Sequence, residues 1–222
     1  NPRPKGASLK TGQTVPMESM LERSVAQLLE VLDSALWYGT QPMSLQLRLG
    51  SGARLTKYTP DMLVIWNEET PAPAPCPWII EVKPAEFARR PAWREKFKAA
   101  AFEAAKRSHH FVVITDEHVA SINMSKVRSE LAARQRHHVE FLGYASKPAA
   151  RQVDPELKRS ILEMLARALD ESPAIEALLE QGKAVDPRRE DPWKVTYTHT
   201  GRRRSLVVKA RTDEELEGSH HE

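Results

Sequence analysis

The sequence is poor in cysteine and has no long apolar run, and both absences exclude classes of protein. Cys76 is the only cysteine among 222 residues, so an internal disulfide cannot form and no zinc cluster is suggested. This composition fits a reducing interior, and we expect a cytoplasmic protein. No apolar run approaches the ~18 residues that a membrane-spanning helix needs, and no signal-peptide pattern is visible. We therefore expect no membrane partner.

An excess of one charge sign is also missing. Lysine and arginine number 33 against 30 aspartates and glutamates, which gives a net charge of +3 and a pI near 9.0. Such a mild basic bias is compatible with nucleic-acid binding but does not establish it. Hydrophobic residues make up 41% of the chain, enough for a substantial core. The length suits one large domain, or one domain with a small appendage.

The N-terminal third predicts a flexible arm followed by an amphipathic helix. Residues 1–16 are polar, basic and rich in proline and glycine, as is typical of a flexible arm. A helix is predicted over about 17–34 because apolar residues recur there at helical spacing. Glu18 and Glu22, four residues apart, border its apolar face. That face comprises Leu21, Val25, Leu28, Leu29 and Leu32.

The middle of the chain predicts several strands. Alternating apolar residues from Met43 to Leu49 predict a half-buried strand, which forms a hairpin with a second strand, Arg54 to Trp66. Trp78 to Lys83, with the sequence WIIEVK, predicts a third strand. Phe111 to Thr115, with the sequence FVVIT, predicts a buried and parallel strand because it is continuously apolar and follows a helix.

Predicted helices at about 93–107 and 121–135 alternate with these strands, which indicates an α/β fold with a mixed central sheet flanked by helices. The composition changes near residues 146–155, where a linker is predicted. Beyond it we predict helices at about 155–168 and 172–181, and two strands at about 192–200 and 202–209. Residues 147–222 are therefore expected to form a small helical, winged-helix-like module that binds DNA or a protein partner.

Asp61, Glu81 and Lys83 form the most informative pattern in the sequence. Side chains alternate along a strand, so Glu81 and Lys83 should point to one face. Carboxylates beside a lysine are what a metal-dependent phosphodiesterase needs: the acids hold Mg²⁺, and the lysine orients the attacking water. If Glu81-Val82-Lys83 is considered alone, the competing interpretation is an ordinary solvated pair of Glu81 and Lys83 on a strand. The catalytic one is favoured because Asp61 and Glu81 interrupt apolar strands, where an unneeded carboxylate is costly.

These residues resemble the PD-(D/E)xK nuclease superfamily, and within it the TnsA-like transposon-end endonucleases. The resemblance covers about residues 17–120. The matching elements run in the family's order: Ser19 to Arg23, Gln41-Pro42, Tyr58 to Asp61, Ile80 to Pro84, and Phe111 to Asp116. It implies a restriction-endonuclease-like core, which we assign to residues 17–146.

The resemblance also implies a site. In that family a helix glutamate, an aspartate and a strand acid bind the metal, and a lysine assists hydrolysis. Carried over, the metal ligands are Glu22, Asp61 and Glu81, with help expected from the carbonyl of Val82, and the assisting residue is Lys83. The metal would be Mg²⁺, with Mn²⁺ as a substitute. Glu18 stays open as the alternative to Glu22.

What the resemblance implies for function is cleavage of DNA at transposon ends, on the strand that the partner transposase does not join. The implied partners are DNA, a DDE transposase and an AAA+ ATPase regulator. Two other functions stay open: a stand-alone nuclease in restriction, repair or phage DNA processing, and a non-catalytic structural or adaptor protein on a nuclease core.

The candidate DNA contacts are residues other than the acids, and each has an alternative interpretation. Gln41 either contacts the site or DNA, or only leads into a strand. Arg89 and Arg90 belong to a basic stretch that either follows phosphates or faces solvent. Three arginines near the C-terminus either form a wing that touches phosphate or are ordinary surface residues; they are Arg202, Arg203 and Arg204.

Overall fold

The computed structural model describes residues 5–12, 14–49, 55–67, 76–141 and 153–173, and the strands at 193–200 and 203–210. The strands are β1 Lys5–Ala7, β2 Thr14–Pro16, β3 Ala35–Thr40, β4 Leu45–Arg48, β5 Leu55–Tyr58, β6 Met62–Trp66, β7 Trp78–Val82, β8 His110–Ile114, β9 Trp193–Thr200 and β10 Arg203–Ala210. The helices are α1 Met20–Val31, α2 Ala85–Ala88, α3 Pro91–Ala105, α4 Asp116–Ala120, α5 Met124–Phe141 and α6 Pro155–Asp170.

A four-stranded sheet in the order β3-β6-β7-β8 forms the centre of the fold. The β3–β6 and β6–β7 pairs are antiparallel, whereas β7 and β8 are parallel. The sheet is therefore mixed and flanked by helices, as the sequence predicted, and it is compatible with a nuclease core. The parallel pairing confirms the prediction for the FVVIT segment. Within the described ranges, no helix combines the length and the apolar character needed to cross a membrane.

Alternation along β7 divides the core into two layers. Trp78, Ile80 and Val82 pack with α1, α5 and α6 on one face. Ile79 packs on the other face with α3 and the β4–β5 hairpin. A fully buried aliphatic side chain contributes about 1.5–3 kcal/mol relative to an exposed one, so these layers hold the sheet in place. Glu81, which follows the same alternation, is thereby directed to the α3 side of the sheet.

The predicted strand from Arg54 to Trp66 is two strands in the structure. β5 pairs with β4 in a separate hairpin, and β6 joins the central sheet. The break falls at Thr59 to Asp61, because Pro60 has no backbone N–H to donate to a ladder. The same region contains a strand that the sequence did not predict, β3, which pairs with β6.

The N-terminal segment also differs from the expected flexible arm. β1 and β2 form an antiparallel hairpin, and Val15 is buried in the core. Glu30 holds the segment in place. Its carboxylate accepts hydrogen bonds from Ser8 Oγ at 2.7 Å and from the backbone N–H groups of Leu9 and Lys10 at 2.8 and 3.2 Å. A buried carboxylate needs such donors, and the hairpin supplies them.

The predicted boundary at residues 146 and 147 does not separate α6 from the core. Ile161 and Leu165 of α6 are fully buried against the sheet layer that contains α1. Just after the helix, Ser172 Oγ accepts a hydrogen bond from the backbone N–H of Val113 at 2.9 Å. Residues 153–173 therefore belong to the layer of helices that covers the sheet, because the apolar face of α6 is buried there.

Farther along, β9 and β10 form an antiparallel pair with Arg203 opposite Thr200, close to the predicted bounds. The predicted linker before residue 153 and the predicted helix beyond residue 173 lie outside the described residues. The winged-helix-like module stays a prediction.

Candidate active site

Asp61 lies in the bend between β5 and β6, one residue before β6 begins. Its Oδ2 accepts a hydrogen bond from the backbone N–H of Val82 at 2.7 Å. Because β6 and β7 are antiparallel with Met62 opposite Ile80, the register brings Asp61 beside Glu81. The Asp61 carboxylate thus replaces the backbone carbonyl that would accept a hydrogen bond from the Val82 N–H in a regular sheet. The predicted role of the Val82 carbonyl as a metal ligand stays a prediction.

Glu81 is the most deeply buried acid of the group, with 2% of its surface exposed. Its two oxygens have different partners: Tyr58 Oη donates to Oε2 at 2.6 Å, and Lys83 Nζ lies 3.1 Å from Oε1. A buried carboxylate is costly unless it is paired and hydrogen-bonded, and both conditions are met here. The structure thus brings Glu81 and Lys83 to one face, as strand alternation predicted.

Tyr58 is a site residue whose role the sequence reasoning missed. Burial raises the pKa of its hydroxyl far above the ordinary value, and the Glu81 carboxylate raises it further. A raised pKa keeps the hydroxyl protonated, as its donation to Glu81 requires. Tyr58 stands in the YTPD motif, but its hydrogen bond to a residue 23 positions away leaves no local signal in the sequence.

Glu22 lies in the first turn of α1 and is engaged with its own helix end. Its oxygens accept hydrogen bonds from the backbone N–H of Glu18 at 2.7 Å and from Ser19 Oγ at 2.9 Å. Ser19 Oγ in turn accepts from the Glu22 N–H, so Ser19 is the N-cap of α1 and Glu22 is held at the same helix end.

Glu18 differs in position from what was expected. It precedes α1, is exposed, and accepts a hydrogen bond from Gln41 Nε2 at 2.9 Å. Glu22 is the buried one of the two glutamates and the one that acts electrostatically on Asp61. These observations favour Glu22 over Glu18 as the helix acid of the site.

The pKa of Asp61 shows that the acids share one environment. This pKa is raised from 3.8 to about 7, chiefly by burial and also by the negative charges of Glu81 and then Glu22. The hydrogen bond from Val82 and the positive charge of Lys83 oppose the change. A carboxyl group that titrates near neutrality because of burial and neighbouring charge is typical of functional sites.

The donor set fits Mg²⁺ in chemistry and charge, because three carboxylates offer the oxygen ligands and negative potential that a hard cation prefers. The arrangement is less complete than the sequence suggested. In the part of the chain that the structure describes, no three acidic, histidine or cysteine side chains are placed to hold a metal ion together. Glu22, Asp61 and Glu81 each accept a hydrogen bond from a protein group instead.

The remaining predicted residues lie at different distances from this cluster. Gln41 is adjacent: its backbone N–H donates to the Asp61 carbonyl at 2.8 Å, and its φ of 47° is the left-handed conformation. Arg89 is exposed and pairs with Glu117, and Arg90 pairs with Glu86 at 2.8 Å. The DNA contacts assigned to these arginines stay predictions. Arg202 lies outside the described residues, and Arg203 and Arg204 begin β10.

A comparison with known families gives a match over the middle of the chain. A family model described as TnsA-like endonuclease N terminal matches residues 33–116. That stretch includes Asp61, Glu81 and Lys83, whereas Glu22 precedes it. A search of curated proteins returned no match. The resemblance seen in the sequence is thereby confirmed over residues 33–116, which are similar to the N-terminal domain of TnsA-like endonucleases.

Proposed function

We propose that this protein is a Mg²⁺-dependent DNA endonuclease that hydrolyses phosphodiester bonds at transposon ends, as the TnsA-like subunit of a heteromeric transposase. The observation that carries the proposal is the convergence of Asp61, Glu81 and Lys83 inside the matched domain, with Glu22 close enough to act on Asp61. The family match supports nuclease chemistry. A DDE transposase and an AAA+ ATPase regulator are proposed as partners on the family resemblance alone.

Asp61 and Glu81 would hold the ion, with Glu22 joining directly or through water. Bound Mg²⁺ would supply charge neutralisation at the phosphate and a more acidic water. Lys83 would orient the attacking water and stabilise the negative charge that develops on the phosphate oxygens. Each Glu22 oxygen accepts one hydrogen bond, from the Glu18 N–H or from Ser19 Oγ, and keeps a further lone pair for an ion or a water.

The test is a nicking assay on a transposon-end duplex and on supercoiled plasmid, with Mg²⁺ or Mn²⁺ and with the partner proteins added or omitted. Asp61→Ala and Lys83→Ala should each lower cleavage on the order of 10²-fold or more while the protein stays folded. Glu95→Ala and Lys98→Ala are matched controls, since both residues are exposed and form a surface ion pair with each other. Cleavage at the wild-type rate by either site variant contradicts the assignment.

A second candidate function, a non-catalytic adaptor on a nuclease core, is favoured by one observation. The acids accept hydrogen bonds from the protein and do not form a ready ligand cluster among the described residues. Calorimetric titration with Mg²⁺ separates the two functions. Absence of both metal binding and cleavage, together with stable incorporation into a transposase complex, supports the adaptor. Nicking of plasmid by the isolated chain supports a nuclease that acts alone.

A further inference from the structure

Two lysine side chains meet at the ring of Trp93. Lys83 Nζ lies 4.7 Å from the centroid of this ring, and Lys96 Nζ lies 4.5 Å from it. Both ammonium groups therefore make cation–π contacts with the same indole, which keeps two positive charges close to one ring. Trp93 and Lys96 are both partly exposed, so the position is open to a ligand.

We propose that Lys96, together with Lys83 and the Trp93 ring, binds a backbone phosphate of the DNA strand to be cut. This inference rests on the proposed nuclease function and deepens it by naming a substrate contact. The proposed ligand is duplex DNA, in which each phosphodiester group carries one negative charge.

The charge of Lys96 is available for such a contact. Within the described ranges, Lys96 has no carboxylate at ion-pair distance; its ammonium contacts the rings of Trp93 and Tyr58. Other cations of α3 behave differently, because Lys98 pairs with Glu95 at 3.1 Å and Lys106 pairs with Glu103 at 2.7 Å. Lys96 therefore provides positive charge that no neighbouring acid offsets.

The position of Lys96 relative to the acids is fixed through Tyr58. The ring of Tyr58 lies 4.6 Å from Lys96 Nζ, and its hydroxyl donates to Glu81 at 2.6 Å. Tyr58 and Glu81 are buried, whereas Lys96 is partly exposed, so the lysine lies on the solvent side of the acids. A phosphate that approaches these carboxylates meets repulsion, and a cation at the rim attracts it. Lys83 cannot do this alone, since Glu81 offsets its charge.

The experiment measures binding of the full chain to a fluorescent duplex by anisotropy, in EDTA and over a series of salt concentrations. Lys96→Ala should weaken binding on the order of fivefold and reduce the salt slope by about 0.9, the value for one lost phosphate contact. Lys96→Arg should retain binding because it keeps the charge. Lys98→Ala is the matched control on the same helix, and its effect should be smaller because Lys98 is exposed and already paired.

The outcomes separate this inference from the proposed function. If the wild-type chain binds DNA and Lys96→Ala matches Lys98→Ala in affinity and slope, the phosphate contact is overturned while the nuclease proposal stands. If the wild-type chain binds no DNA with or without its partners, both fail. Thermal unfolding of each variant in the same buffer verifies that a loss of binding does not come from a loss of folding.

Discussion

Replacing Asp61 by asparagine should make the protein more stable at alkaline pH, although it should abolish cleavage. Asparagine retains an oxygen that can accept the hydrogen bond from the Val82 N–H, so the local backbone contact survives. What the substitution removes is a negative charge that is largely buried and lies beside Glu81 and Glu22. Most substitutions at buried positions destabilise a protein, so an increase in the free energy of unfolding would set Asp61→Asn apart from them.

The magnitude follows from the pKa of Asp61, which is about 7 in the folded protein against an ordinary value of 3.8. Because the folded state holds this proton more tightly than the unfolded chain, the free energy of unfolding falls as pH rises from about 4 to about 7. Each pKa unit corresponds to about 1.4 kcal/mol, so the loss amounts to about 4 kcal/mol at pH 8 as an upper limit. The Asp61→Asn variant does not lose this stability as pH rises, because asparagine does not ionise.

The assay is urea unfolding followed by tryptophan fluorescence at pH 5, 6, 7 and 8, in EDTA. The difference in unfolding free energy between Asp61→Asn and wild type should grow from pH 5 to about pH 7 and level off by pH 8, where Asp61 is ionised in both the folded and the unfolded wild-type chain. Glu95→Gln is the control, since Glu95 is exposed in a surface pair with Lys98 and the substitution should change stability by less than about 1 kcal/mol. Parallel pH profiles for Asp61→Asn and wild type would refute the buried-charge argument.

Two further substitutions test other parts of the structure. Tyr58→Phe keeps the ring but removes a hydrogen bond to buried Glu81, so it should cost about 1–3 kcal/mol in urea unfolding and weaken Mg²⁺ binding by calorimetry. Tyr38→Phe removes a similar hydrogen bond to Glu30, which is not a proposed metal ligand, and should leave Mg²⁺ binding unchanged. If Tyr38→Phe and Tyr58→Phe weaken Mg²⁺ binding equally, Tyr58 has no positioning role. Glu30→Ala should free the N-terminal hairpin, seen as faster trypsin cleavage at Lys10, and an unchanged rate would contradict its anchoring role.

The sequence predicted the elements whose patterns are local. Helix α1 and strand β4 show a clear apolar period and strand β8 is continuously apolar, and the predicted types of all three were right. Strand β3 was missed because its sequence, ALWYGT, contains a glycine and has no regular alternation. The N-terminal segment was expected to be flexible from its composition. It pairs as a hairpin because Glu30, in α1, supplies its hydrogen-bond acceptors.

The chain by itself determined which chemical groups the site contains and that Glu81 and Lys83 share a face, since alternation is a local property of a strand. Tertiary structure alone decided the rest: the hydrogen bond from Tyr58 to Glu81, the place of Lys96 at the rim, and the elevated pKa of Asp61. The physical reason is that burial and charge proximity depend on groups distant in sequence, which only the packed sheet and helices bring within a few ångströms of one another.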